Sequence, residues 1–303
     1  MNTNHSVMTL SRYHKIYNEE VLEPIKKIML ELEAPLTSFH IRVAEGVWNL
    51  HKEYEIREDH PYKYGYGMLL HGAYHYVDLM AQFLNLNKLI FPTKTFTLTM
   101  SSFVAHPSDQ NDRIPKKFSE KLDDNKPNWH SPAQSIRYGE TDITSIFCMK
   151  DKETEKNITL GTISLEQTTQ SIRSWKDAPH DLYNKNGRIS NVSLDADLST
   201  LYSINVRCFD SPTFINQDID NMSVSARIYE KTNAALLNNK EFSSVKNFND
   251  LSRNDSNRQL MSEWLKSKEH KSLLKDHVPT MRIIQAIAMT IEHPGYPVTF
   301  VFI

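Results

Sequence analysis

A glycine-led run sets the terms for the rest of this chain: Tyr64-Gly65-Tyr66-Gly67-Met68-Leu69-Leu70-His71-Gly72-Ala73-Tyr74-His75-Tyr76-Val77-Asp78-Leu79-Met80-Ala81-Gln82-Phe83-Leu84. Three of the chain's 8 glycines fall inside it. Gly65 and Gly67 read as a turn. After them apolar residues recur at Leu69, Leu70, Ala73, Val77, Met80, Ala81 and Leu84, the spacing of one helix face. The other side carries His71, His75, Asp78 and Gln82. A glycine turn into a largely apolar helix, followed by strand-like runs, predicts a helix wrapped by a sheet.

The elements around it have readable periods. Residues 17–32 place Val21, Leu22, Ile25, Ile28, Met29 and Leu32 on a helix face, with Glu19, Glu20 and Glu23 near its positive end. Phe39, Ile41 and Val43 alternate in a strand over 39–48. Past the helix at 68–84 the period changes to 2, with Phe96, Leu98 and Met100 in a strand over 95–104. Residues 106–129 read as a polar excursion. Runs at 142–150 and 158–166 flank a charged turn and predict a hairpin. Residues 175–200 read as a connector and 202–208 as a strand. A polar loop at 210–221 leads to a helix at 222–239, carried by Val224, Ile228 and Leu236. Residues 240–257 read as loop and 259–274 as helix. The isoleucines of 281–292 fit either helix or strand, and 298–303 reads as a strand.

Strands and helices do not alternate regularly, which argues against a doubly wound parallel sheet. The fold class expected is α+β: an antiparallel sheet wrapped around a central helix, built as two units over residues 1–175 and 176–303. A length of 303 residues accommodates that division.

Composition excludes several classes of partner. The net charge is -2 and basic residues are interspersed with acidic ones, so no field recruits nucleic acid or an anionic membrane. No run of 18 apolar residues offers a membrane span. Residues 1–7 have neither the basic nor the apolar region of a signal peptide. Cys148 and Cys208 sit in strand-like runs and read as reduced, buried thiols, in keeping with a cytoplasmic protein. No glycine-rich phosphate loop is present, and no cofactor is expected.

Taken in order, these elements resemble the hotdog superfamily, in which a long helix lies in a curved antiparallel sheet. Gly67-Met68-Leu69-Leu70 is similar to the helix opening of its hydratase and dehydratase branch. Asn49-Leu50-His51 is similar to that branch's Asn/His segment, displaced by a residue. Asp218-Ile219-Asp220-Asn221, leading toward Tyr229, is similar to the acidic loop and helix of the thioesterase branch, without the glycine and histidine usual there. The resemblance implies a double hotdog, able to pair as a homodimer. It also implies an acyl thioester, of coenzyme A or an acyl carrier protein, as substrate for hydrolysis or for hydration and dehydration.

Each candidate residue has a plainer reading beside it. Asp220, with Asp218, can orient water toward a thioester carbonyl while helix N–H groups hold the oxyanion; Asp is equally a preferred helix cap. Asn49 and His51 can polarise a carbonyl and move a proton, or belong to an ordinary surface loop. His71 can face substrate in a cleft. His71, His75 and Asp78 share a helix face at i, i+4 and i+7, a spacing that could bind zinc or iron, or a polar stripe turned to solvent. That metal-dependent reading is one alternative function. A non-catalytic interaction protein on a hotdog scaffold is another.

Overall fold

The computed structural model of the chain describes residues 7–45, 49, 51–58, 61–113, 115–117, 129–167, 190–211, 223–237, 242–252, 254–266 and 270–303. Period-two runs become strands of one sheet. β1 (Ser38–Ala44) buries Phe39, Ile41 and Val43, and β2 (Phe96–Ala105) buries Phe96, Leu98 and Met100. β3 (Asp142–Asp151) and β4 (Asn157–Glu166) form the predicted hairpin. β5 (Asn191–Leu198), β6 (Tyr202–Ser211), β7 (Ser223–Thr232) and β8 (Ser243–Ser252) run on as antiparallel neighbours, and β9 (Val298–Val301) pairs with β2. The spatial order is β8-β7-β6-β5-β1-β4-β3-β2-β9, with β1 and β4 parallel and the other neighbouring pairs antiparallel.

Helices supply a second layer. A π-helical turn over Ile16–Leu22 runs into α1 (Glu23–Leu32). After the short α2 (His51–Ile56), α3 (Tyr74–Asn85) lies against β1 and β4, and α4 (Asp255–Lys266) packs on the turn Leu10–Tyr13. The last, α5 (Val278–Glu292), packs on α3 and β2. Their buried faces and the inward side chains of the sheet form one core, in which the Phe39 and Phe83 rings lie 4.9 Å apart. Truncating Phe39 to Ala would cost about 3–5 kcal/mol. On the opposite face Phe103, Ile146 and Leu160 are exposed, so the sheet is covered on one side only.

The expectation of a sheet wrapped around a central helix, in two hotdog-like units, is therefore corrected. The helices lie on one face, and β1 pairs with both β4 and β5, so strands from either side of residue 175 share one continuous sheet. The misreading has a local cause. Val224 and Ile228 fit a helix at i, i+4, but they fit a strand at i, i+2, i+4 equally. Buried Ala226 between them shows the second pattern operating in β7. The polar run at 240–257 contains β8, whose side chains are largely outside the core. An edge strand needs little apolar character and is protected from mispairing by charge and polarity. The connector at 175–200 likewise contains β5. The ambiguous run at 281–292 is helical. Among the described residues no helix is long and apolar enough to cross a membrane.

Candidate functional site

Asp78 ties the N-terminal segment to the helical layer. On α3 it is fully buried, and Arg12 donates to both its oxygens at 2.8 Å. Thr280 Oγ1 donates at 2.8 Å, Gln82 Nε2 at 3.0 Å, and His277 Nδ1 lies 3.1 Å away. Burial alone would raise the Asp78 pKa. The His277 and Arg12 hydrogen bonds and charges outweigh it and hold the carboxyl at about 2. Arg12 further donates to the carbonyls of Lys271 and Asp276. Val7 and Ser272 exchange two hydrogen bonds, and Tyr13 Oη donates to Glu263 at 2.7 Å.

That anchorage lays residues 10–17 along a cleft of about 730 Å³. His75, one helical turn before Asp78, lines it. The backbone N–H of Leu10 donates to His75 Nδ1 at 3.3 Å. In the neutral ring an accepting Nδ1 leaves the proton on Nε2. Burial lowers the His75 pKa, so the ring offers the cleft an N–H donor.

Across the cleft, Glu45 follows directly on β1. Tyr76 Oη and Ser190 Oγ both donate to its Oε1 at 2.5 Å. His14 stacks near Tyr17 with ring centroids 4.4 Å apart, and its buried Nδ1 has no hydrogen-bond partner. Desolvation brings the His14 pKa down to about 4 despite the charges of Glu45 and Asp255. Burial pushes Tyr17, which projects from the π-helical turn, well above the usual phenol range. The remaining walls include Tyr66, His71, Tyr74, Ser256 and Cys208, so the cleft combines aromatic faces, hydroxyls, three imidazoles and a carboxylate.

The glycine turn positions the cleft's outer wall. Gly139 has φ +77, and a Cβ on it would lie 2.5 Å from Gly67 N. A Cβ on Gly67 would lie 2.5 Å from Glu140 N. The two backbones thus touch where only glycines fit. Glu140 accepts from Leu69 N–H at 2.7 Å, which fixes the turn ahead of His71.

The sequence-predicted residues are dispersed. His71 lines the cleft, with Nδ1 3.3 Å from Tyr62 Oη. Asn49 and His51 belong instead to a satellite cluster around Tyr54, Tyr62, Tyr138 and Trp129. Asn49 is buried at 2% exposure, and His51 Nε2 lies 3.1 Å from Asn111 Oδ1. Asp218 and Asp220 lie outside the described residues, and the helix expected after them is strand β7. His71, His75 and Asp78 do not converge on a metal. Regular helix starts at Tyr74, so His71 precedes it, and Asp78 is engaged by Arg12. No group of three or more potential ligands capable of holding a metal occurs among the described residues. Sequence reading missed His14, Tyr17, Glu45 and Ser190. They come from three separate segments, and only His14 and Tyr17 are close in sequence.

No family model matches this chain, and no curated protein does. Among solved structures it is similar to a putative oxidoreductase from Thermotoga maritima, at 10% identity and TM-score 0.50, over 98% of this chain and 64% of that one. It is also similar to an oxidoreductase domain protein from Kribbella flavida, at 8% identity and TM-score 0.51, over 97% and 64%. The chain thus spans less than two thirds of these structures, and the likeness is one of fold. It corrects the functional expectation as well. The thioesterase, hydratase and dehydratase readings, with acyl-CoA or acyl carrier protein as partner, rested on a hotdog fold, and this fold is that of oxidoreductase structures. The metal-dependent alternative loses its ligand set, and the interaction-protein alternative loses its hotdog scaffold.

Proposed function

We propose that this chain is the substrate-binding unit of an oxidoreductase and holds a small hydroxyl- or carbonyl-bearing molecule in the cleft. The observation that carries this reading is His75, a neutral ring whose Nδ1 is occupied by Leu10 N–H and whose Nε2–H is left for a ligand oxygen. A fixed donor in a desolvated cleft polarises a carbonyl, or orients a hydroxyl, without first reorganising. The likeness in fold to oxidoreductase structures supports the reaction class. Cys148 and Cys208, neither of them in a disulfide, support a cytoplasmic setting.

One cofactor of hydride transfer is a nicotinamide dinucleotide, which the doubly wound fold holds on a glycine-rich strand-to-helix turn of a parallel sheet. The described residues do not fit that group. The Gly65–Gly67 turn is filled by the backbone of Gly139 and Glu140, and β1–β4 is the one parallel pairing among the described strands. The reading therefore assigns substrate binding to this cleft and no step to a cofactor.

Calorimetric titration with sugars and cyclic polyols tests it. Binding is expected in the wild type and at least tenfold weaker in His75→Ala. Failure of every probe to bind would remove the reading.

A further inference from the structure

Charge in the cleft is one-sided. Among its described lining residues Glu45 is the one carboxylate, and there is no lysine or arginine. The guanidinium of Arg12, the neighbour of lining residue Ser11, donates to Asp78 and to the carbonyls of Lys271 and Asp276. Three imidazoles line the same space; burial depresses the basicity of His14 and His75, so these two supply no counter-charge at neutral pH, while the third, His71, has Nδ1 3.3 Å from Tyr62 Oη. Asp255 adds a second negative influence at His14.

The carboxylate is also presented. Tyr76 and Ser190 fix Oε1 from two sides, while Oε2 accepts no hydrogen bond among the described residues. The same cleft is lined by the rings of Tyr17, Tyr66, Tyr74 and Tyr76, of which Tyr76 touches Glu45 directly. Electron-rich ring faces favour a cation close by and offer nothing to an anion. A half-buried carboxylate with Oε1 fixed and Oε2 accepting nothing among the described residues, in a cleft with aromatic walls, is half of a charge-assisted hydrogen bond.

Resting on the reading of the cleft as a substrate site, we infer that it selects a ligand carrying an ammonium group, which donates to Glu45 Oε2 while a ligand oxygen accepts from His75 Nε2–H. The substrate class is then a hydroxylated or carbonyl-bearing amine. Phosphorylated and carboxylated analogues are disfavoured by the Glu45 carboxylate and by a described lining without lysine or arginine.

The test compares amino sugars and aminocyclitols, each beside its neutral hydroxyl parent and a hexuronate, by isothermal titration. The amine should bind tenfold to a hundredfold more tightly than its parent, and the hexuronate should not bind. Glu45→Gln, which keeps an acceptor and removes the charge, should abolish the preference. Should that variant fail to fold, the wild type still decides: the preference must vanish as pH rises past the amine's own pKa. Equal binding of amine and parent, or a preference that survives Glu45→Gln or high pH, overturns the inference and leaves the cleft reading standing. Binding of no probe overturns both.

Discussion

Arg12 and Asp78, 66 residues apart, meet in a buried two-point ion pair with both hydrogen bonds at 2.8 Å. This contact fixes the N-terminal segment over α3, and through it the Leu10 N–H that sets the proton on His75. Stability and site geometry therefore share one anchor.

Removing Asp78 should be costly. Asp78→Ala leaves the Arg12 guanidinium buried without its partner, and a loss of about 3–5 kcal/mol is expected in urea unfolding. A change below about 1 kcal/mol would show that Arg12 finds other partners.

Acid should expose the same anchor. The Asp78 pKa is lowered from 3.8 to about 2, so its stabilising contribution is complete above pH 4. It is lost as pH falls toward 2, at about 2 kcal/mol in all. Unfolding midpoints measured between pH 5 and 2 should show this decline in the wild type and a flatter one in Asp78→Asn.

His14 should act in a higher window. Its pKa falls from an ordinary 6.5 to about 4, so the unfolded chain takes up a proton that the folded chain refuses. Stability is complete above pH 6.5 and falls between 6.5 and 4, by about 3 kcal/mol. Replacing His14 with Gln should flatten the profile in that window. An unchanged slope would mean that the imidazole is not desolvated.

Gly139→Ala should destabilise the turn that builds the cleft wall. The new Cβ meets Gly67 at 2.5 Å and φ stays at +77, so about 1–3 kcal/mol is expected, together with weakened ligand binding. Thermal melts and titrations on the same sample check both.

Legibility followed the range of the forces involved. The strands with alternating Phe39, Ile41 and Val43 or Phe96, Leu98 and Met100, the β3–β4 hairpin, and the glycine-led helix were readable because local period reports burial directly. β7 and β8 were not. Val224 and Ile228 satisfy two periods, and an edge strand carries little apolar signal. Arrangement failed more completely, because the parallel pairing of β1 with β4 is decided by the whole core. At the site, His71 and His75 stood out by helical spacing, and the structure places both on the cleft. Asp78 stood beside them by the same spacing but serves Arg12. His14, Glu45 and Ser190 become neighbours only through the fold, so no local pattern could mark them.

Nitrogen-15 NMR of His75, assigned by its disappearance in His75→Gln, tests the central claim most directly. The account predicts a neutral ring at pH 7 with the proton on Nε2, and an Nε2 shift that moves when a hydroxylated ligand is added. A proton on Nδ1, a charged ring, or an Nε2 signal indifferent to every ligand that binds would contradict it.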